Sequence, residues 1–508
     1  MSFINISNLS FSYESSIHPI FSSLNQTFNN GWYAIIGVNG SGKSTLFNLL
    51  NNTLMPQEGT ISPKIETFLC KQDNLDEIPS SFYDPEIINN SEAVSLLGRL
   101  EIKDEWLFNY DKLSGGEKKR CMVADALLRS PTLLLIDEPI NHLDSYSINL
   151  LVNELKKFNK IGLIISHNLD FLDSLCSKTL ILEDNHLFTN ILNYECKPSL
   201  AIKQRKKEIE FLNKQKISKV SDISKLKKMK EREYQIIQKS KNKLSKKNLD
   251  KKDFSTKSKI DGARITSKDK KPGLRLTSIN NEIIRESDKL SKINIPKKNK
   301  LGISFNNIQS KKNTIISFQK DEISQLHNIY KVSHPYMEIK KDDKIIIRGQ
   351  NGSGKTSFVN IIEQNLIKYN SPYWYIHQDY SEKDRIKIKD KLIHLDKDTQ
   401  SQILSISFRL GADPTSLLTT TLLSQGETQK LLYGFAIFSN SNILLLDEPT
   451  NYLDIFSISI LTKALLSYRG AIICVSHDVN FMEKIGNKFW EFKKNNKFIT
   501  INQIETDN

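Results

Sequence analysis

The chain of 508 residues holds only five cysteines, and none of Cys70, Cys121, Cys176, Cys196 and Cys474 stands in a C-x-x-C pair. That scarcity argues against a disulfide framework and against a zinc site, so buried thiols are the expected state of most of them. No apolar run approaches the roughly 18 residues a membrane helix requires. The opening residues Met1-Ser2-Phe3-Ile4-Asn5 lack the basic-then-apolar layout of a secretory signal, and a cytoplasmic location without a membrane domain is expected. Proline is scarce between 201 and 300, where only Pro272 and Pro296 occur. With 38% hydrophobic residues the chain suits two or three soluble domains.

What is present is a duplicated set of phosphate-handling motifs. Gly37-Val38-Asn39-Gly40-Ser41-Gly42-Lys43-Ser44 and Gly349-Gln350-Asn351-Gly352-Ser353-Gly354-Lys355-Thr356 both fit the pattern G-x-x-x-x-G-K-[ST]. Apolar runs at 33–36 and 345–347 read as incoming strands, and the residues from Leu46 and from Phe358 onward read as outgoing helices. Glycines there let backbone N–H groups close around phosphates at a helix N-terminus. Lys43 and Lys355 are then placed to reach ATP phosphates, and Ser44 and Thr356 to put a hydroxyl on Mg²⁺. Thr45 and Ser357, next in each helix, join the expected nucleotide contacts.

The landmarks that follow keep nearly fixed spacing. Lys43 lies 71 residues before Ser114, and Lys355 lies 69 before Ser424. From Ser114 to Asp137 and from Ser424 to Asp447 the step is 23, and from each aspartate to His167 or His477 it is 30. Such registers mean a duplicated domain in which each copy is large enough to bury its own core.

These landmarks resemble those of ABC-type ATPases. Leu113-Ser114-Gly115-Gly116-Glu117 and Leu423-Ser424-Gln425-Gly426-Glu427 look like the signature loop that opens a helix. The runs Leu133-Leu134-Leu135-Ile136-Asp137-Glu138 and Ile443-Leu444-Leu445-Leu446-Asp447-Glu448 read as buried parallel strands ending in two carboxylates. Asp137 and Asp447 are expected in the Mg²⁺ shell, and Glu138 and Glu448 are expected to act as general bases on the attacking water. The resemblance assigns His167 and His477 to the γ-phosphate and the water. Gln72 and Gln378 look like the glutamines that sense Mg²⁺. Tyr13 resembles the aromatic that stacks on adenine, whereas in the second copy Phe318, Tyr330 and Tyr336 all stand as candidates. Head-to-tail pairing implies that Lys43 and Glu138 face Ser424 and Gly426, while Lys355 and Glu448 face Ser114 and Gly116. Each ATP then bridges two domains of one chain, so a monomer with an intramolecular ATP sandwich is expected.

Charge is unevenly distributed. Positions 201–300 hold 32 Lys and Arg against 12 Asp and Glu, so this stretch alone carries +20 and the rest of the chain −6. A seven-residue repeat at Ile202, Ile209, Ile223, Ile237 and Leu244 is followed, after a cationic bend, by Leu276, Ile279, Ile283, Leu290 and Ile293 at helical-seam spacing. The pattern predicts two antiparallel helices with a flexible basic tip near 245–272. With the resemblance above, this implies an α/β fold class: two ABC-type P-loop ATPase domains in tandem, 1–198 and 301–508, joined by a long basic α-helical hairpin linker, 199–300. A polar cationic spike suits a polyphosphate backbone, whose release of counterions drives binding without sequence specificity.

Pro139-Ile140-Asn141-His142-Leu143-Asp144 and Pro449-Thr450-Asn451-Tyr452-Leu453-Asp454 resemble the string that marks the ABC-F subfamily, soluble tandem ATPases without membrane domains. The resemblance implies a ribosome partner, with the hairpin directed towards rRNA and tRNA. About 40 residues separate Gln72 from Leu113 and the chain stops at Asn508, which resembles the compact members that protect ribosomes from antibiotics. Two other readings are a general translation factor of the ABC-F type and the fused ATP-binding subunit of a membrane importer. A non-ribosomal nucleic-acid ATPase is a fourth. Ile140 in place of Thr, and Asn168 in place of the aspartate that Asp478 keeps, both fall in the first copy and predict slower turnover there.

Overall fold

Continuous apolar runs flanked by helices build a parallel sheet in each copy. In a computed structural model of the chain every residue is described apart from 1, 15–17, 72–77, 85–89, 142, 185–187, 244–269, 292, 294–302, 304–311, 322, 324, 327–329, 440, 496–497 and 506–508. The first copy orders its main sheet Thr67–Cys70, Leu133–Asp137, Ile161–Ile165, Gly31–Gly37, Lys178–Asp184, Thr189–Tyr194. All neighbours are parallel except the last pair. The second copy repeats the order with Tyr373–Ile376, Ile443–Asp447, Ala471–Val475, Lys344–Gly349, Lys488–Asn495, Phe498–Glu505 and adds Tyr330–Ser333 and Gln325–Leu326 at the edge. The duplication legible in motif spacing is thus repeated strand for strand.

Leu133, Leu134, Leu135 and Ile136 are fully buried, as are Ile345, Ile346 and Ile347, so these strands are covered on both faces. The first core layer packs Phe28, Leu46, Phe47 and Leu50 on one face of the sheet, and the second places Phe358 against Phe318, Trp490 and Phe492. Burying such a side chain contributes about 1.5–3 kcal/mol. The strands ending at Gly37, Asp137 and Ile165 are neighbours, so the phosphate loop, the acidic pair and the histidine emerge together at the carboxyl edge. Ligands of open α/β sheets bind at such an edge.

The chain divides into two compact units, Met1–Ala201 with Lys298–Asn508, and Ile202–Lys297. Both ATPase copies belong to the first. The long helix Pro198–Lys243, 46 residues in all, belongs to the second unit from Ile202 onward and is paired there with the helix Lys270–Ser291. Lys219 Nζ meets Glu286 at 2.5 Å, Lys230 Nζ donates to Asn280 at 2.7 Å, and Arg275 lies 3.5 Å from Glu233. These pairs run in opposite directions along the two helices, so the helices are antiparallel. Ile223 is buried and Ile209, Ile237, Leu276, Ile279, Ile283 and Leu290 are half-buried, whereas Lys216 is exposed. The apolar seam is narrow and the rest of the surface is polar. Leu244 and nearly all of the expected tip lie outside the described residues. Among the described residues, no helix is long and apolar enough to cross a membrane.

Candidate functional site

Each phosphate loop closes on a helix whose first residue is the motif lysine, Lys43–Leu50 and Lys355–Lys368. Gly42 and Gly354 precede them at φ 87°, a left-handed conformation that glycine enters without a Cβ penalty. Lys43 Nζ donates to the carbonyls of Gly37 and Val38 at 2.8 and 3.0 Å, and Lys355 Nζ to those of Gly349 and Gln350 at 2.7 and 2.9 Å. Both ammonium groups are curled over their own loops, and burial lowers the pKa of each against the pull of nearby carboxylates. A bound polyphosphate offers stronger acceptors than those carbonyls.

The strand-end aspartates sit beside the loop hydroxyls: Ser44 Oγ donates to Asp137 at 3.2 Å and Thr356 Oγ1 to Asp447 at 3.1 Å. The next residue in each copy takes a left-handed backbone although it is not glycine, Glu138 at φ 49° and Glu448 at φ 47°. Such a conformation costs of order 1 kcal/mol or more and persists where surrounding structure imposes it. Here the amides of Glu138 and Glu448 donate to Ile165 and Val475 at 2.9 and 2.8 Å, which ties each acid to the strand that carries the histidine. His167 Nε2 lies 3.2 Å from Glu138 Oε1, and His477 Nε2 lies 3.5 Å from Glu448 Oε1.

Burial, reinforced by Asp137, pushes the Glu138 carboxyl up to about 8, and burial with Asp447 raises that of Glu448. Burial and Lys43 hold His167 well below the usual imidazole range, and burial with Lys355 holds His477 at about 4. Without nucleotide, each Glu–His pair is therefore a neutral carboxyl beside a neutral imidazole, because an ion pair there lacks solvation. Among the described residues neither Glu138 carboxylate oxygen completes a hydrogen bond of good geometry, nor do the buried hydroxyls of Ser41 and Ser353 in the two loops. Orphaned polar atoms at matching places fit a site that takes a polar ligand.

The two copies meet at these edges. Asp144 caps the helix Ser145–Leu155 with one oxygen, accepting from Ser147 N at 2.9 Å, while its other oxygen accepts from Asn351 N at 3.2 Å. Asp454 caps Ile455–Ser467 in the same way and accepts from Asn39 N at 3.3 Å. A cavity of about 830 Å³ joins Ser114 and Gly116 of the first copy to Asn351, Gly352, Gly354, Lys355, Thr356, Ser357, Gln378, Asp447, Glu448 and His477 of the second. In the other pairing Asn39 Nδ2 donates to Tyr452 O at 3.2 Å, and that same carbonyl lies 3.1 Å from where a Cβ on Gly426 would stand. Gly40, Lys43 and Ser44 continue the loop from Asn39. Ser114 and Ser424 each cap their helices in a reciprocal box with Glu117 and Glu427.

Tyr13 is exposed, edge-on to Phe11, with its hydroxyl 3.3 Å from Thr45 Oγ1. Of the three candidates in the second copy, Tyr330 lines the cavity with Lys494 Nζ 4.6 Å above its ring. Phe318 is buried against Phe358 in the core, and Tyr336 is not among the cavity residues. Gln72 lies outside the described residues.

Sequence reasoning missed Lys119. It is 1% exposed and its Nζ donates to the carbonyl of Glu138 at 3.1 Å, placing a cation behind the acidic pair. Gln429 occupies the matching offset from Ser424 and is equally buried. A departure between otherwise superimposable motifs was the available signal.

The ABC transporter family matches residues 21–141 and 332–451. The ATP-binding protein Uup of Buchnera aphidicola subsp. Schizaphis graminum is 30% identical over 91% of this chain and 76% of its own. The ribosome protection protein VmlR of Bacillus subtilis is 27% identical over 98% of this chain and 88% of its own. Among solved structures, an archaeal ribosome recycling factor, aABCE1, in complex with the stalk protein aP1 matches the fold with TM-score 0.60 at 18% identity, covering 97% of this chain and 89% of that one.

Proposed function

Because the chain belongs to the ABC-F family of tandem ABC ATPases, enzymes that hydrolyse ATP to ADP and phosphate, we propose that it binds the ribosome and protects it from antibiotics acting on the large subunit. The observation that carries the reading is the hairpin. An antiparallel helical pair with a net basic charge, inserted between two ATPase copies, has no purpose in an ATPase that only hydrolyses nucleotide. Cationic polar surface of that kind is suited to RNA backbone. The similarity to a protein named for ribosome protection, spread over almost the whole chain, agrees with it.

In this reading 1–198 and 301–508 are the ATPase domains and 199–300 the RNA-contacting linker. Gly37, Asn39, Gly40, Gly42, Gly349, Asn351, Gly352 and Gly354 present backbone amides to the phosphates, and Lys43 and Lys355 leave their loop carbonyls to pair with phosphate oxygens. Ser114, Gly116, Ser424 and Gly426 close each site from the opposite copy. Ser44, Asp137, Thr356 and Asp447, with Gln72 and Gln378, are the groups suited to hold Mg²⁺, which when bound supplies charge neutralisation at the β- and γ-phosphates. Glu138 and Glu448 take a proton from water. A carboxyl with a pKa near 8 is a stronger base than an exposed one, close to the working pH where general-base catalysis is most efficient. His167 and His477 hold the γ-phosphate and orient that water. Tyr13 and Tyr330 stack on adenine. Nucleotide contacts to both copies favour the closed pairing, and hydrolysis removes that preference.

The test is to co-sediment Glu138→Gln/Glu448→Gln protein with 70S ribosomes in ATP and to challenge a drug-sensitive host expressing the wild type with a panel of large-subunit antibiotics. Ribosome binding with raised resistance to at least one drug is the expected result. Binding without resistance assigns a general translation role, and no binding removes the ribosome from the account.

A further inference from the structure

After each histidine the two copies carry the same two polar positions in opposite order. Asn168 and Asp170 follow His167, whereas Asp478 and Asn480 follow His477. At the first position amide and carboxylate do the same work. Asn168 Oδ1 accepts from Phe171 N at 2.9 Å to cap the helix Leu169–Leu175, and Asp478 Oδ1 accepts from Phe481 N at 3.0 Å to cap Val479–Ile485. At the second position the copies touch each other: Asn480 Nδ2 donates to Asp170 Oδ1 across 310 residues of sequence. Because Asp170 and Asn480 stand at equivalent offsets, this contact lies where the two repeats face one another. It joins the two segments that begin with the histidines.

We infer that Asp170 and Asn480 form a directional latch, a pair of positioning residues that couples the two histidine loops and is strongest, as a charge-assisted hydrogen bond, when a first copy meets a second copy. Two first copies from different chains would set Asp170 against Asp170, like charges within hydrogen-bond reach, and two second copies would leave a neutral amide–amide contact without charge assistance. The latch therefore selects pairing of a first copy with a second copy over pairing of like copies. It also gives Asn168 a physical reason. Asp173, Asp478 and Glu483 already crowd the neighbourhood, and Lys484 is the cation acting on Asp478. Asparagine keeps the helix cap and omits another negative charge. In agreement, burial with Asp173 and Glu483 raises the Asp170 carboxyl against the opposing hydrogen bonds from Asn480.

The inference rests on the proposed intramolecular ATP sandwich, and one experiment separates the two. Full-length protein is labelled with a donor dye on one copy and an acceptor on the other, and the ATP concentration for half-maximal closure is read by energy transfer, with kcat and KM for ATP in parallel. Asn480→Asp is expected to raise that concentration on the order of tenfold or more at pH 8, through a lost charge-assisted hydrogen bond and a new like-charge pair. At pH 6 part of the loss is regained as the two carboxylates share a proton. The swapped double variant Asp170→Asn/Asn480→Asp restores wild-type closure at both pH values. Wild-type behaviour of Asn480→Asp, or failure of the swap to rescue it, overturns the latch while leaving the sandwich standing. Absence of ATP-dependent closure in the wild type overturns both.

Discussion

Replacing Glu138 by glutamine, and Glu448 with it, tests whether burial or mere proximity governs these acids. The folded pKa of Glu138 is about 8 against an ordinary value of 4.5, and the largest cause is desolvation. An acid with a raised folded pKa keeps its proton in the native state while the unfolded chain releases it, so native stability falls as pH rises from the ordinary value to the raised one and is flat above. At pH 7 the gap of roughly 2.5 units corresponds to about 3 kcal/mol at this site. Glutamine is always neutral and matches the protonated acid in size and polarity, so the substitution removes that cost. Scanning wild type and Glu138→Gln/Glu448→Gln without nucleotide and with a chelator, the variant's melting temperature should exceed the wild type's by a margin that is small at pH 5. The margin widens to several degrees by pH 8 and then stays constant. The same variant should lose hydrolysis by on the order of 10²–10⁴-fold while still binding ATP. A melting difference independent of pH between 5 and 9 would refute the desolvation argument, whatever happens to turnover.

Three further outcomes are expected. The single variants Glu138→Gln and Glu448→Gln should reduce steady-state ATPase unequally, with the larger loss from Glu448→Gln, because Ile140 and Asn168 mark the first copy as the slower; equal losses would count against this asymmetry. Tyr330→Ala should raise KM for ATP on the order of tenfold with little change in melting temperature, whereas Phe318→Ala should destabilise the protein by about 3–5 kcal/mol; the reverse pattern in paired kinetic and thermal assays would reassign the adenine contact. Removing 245–270 should abolish drug protection in a susceptibility assay and leave ATP hydrolysis largely intact, and protection that survives the deletion would show that the tip is not the working part.

The phosphate loops were legible in the sequence because their chemistry admits few residues: at Gly42 a left-handed turn coincides with Ile20 packed 2.6 Å from where a Cβ would stand, and a motif lysine opens each helix. The strands before Asp137 and Asp447 were legible because burial on both faces demands uninterrupted apolar residues. The hairpin followed from periodicity, and the half-buried positions Ile209, Ile237, Ile279 and Ile283 are those of the repeat. Tyr330 could not be separated from Phe318 and Tyr336, because which aromatic enters the core is decided by packing against Phe358, distant in sequence. Lys119 reads in sequence as a solvent-facing charge on an ordinary helix, marked only by its departure from Gln429, and its packing behind the acidic strand shows the burial. The meeting of Asp170 with Asn480 could not be read locally, since its partners lie 310 residues apart, one in each copy of the duplication.

The hairpin's first helix has a mechanical consequence. At about 1.5 Å per residue, 46 residues make a rod of roughly 69 Å, so each degree of tilt at its root sweeps the far end through about 1.2 Å. Beside its narrow apolar seam it is braced by polar pairs, Lys219 with Glu286, Lys230 with Asn280 and Glu233 with Arg275, and the ion pairs among them weaken as counterions accumulate. The rod should therefore transmit small angular strokes faithfully in dilute electrolyte and bend more readily in concentrated salt, which makes its stiffness an adjustable property of the surroundings.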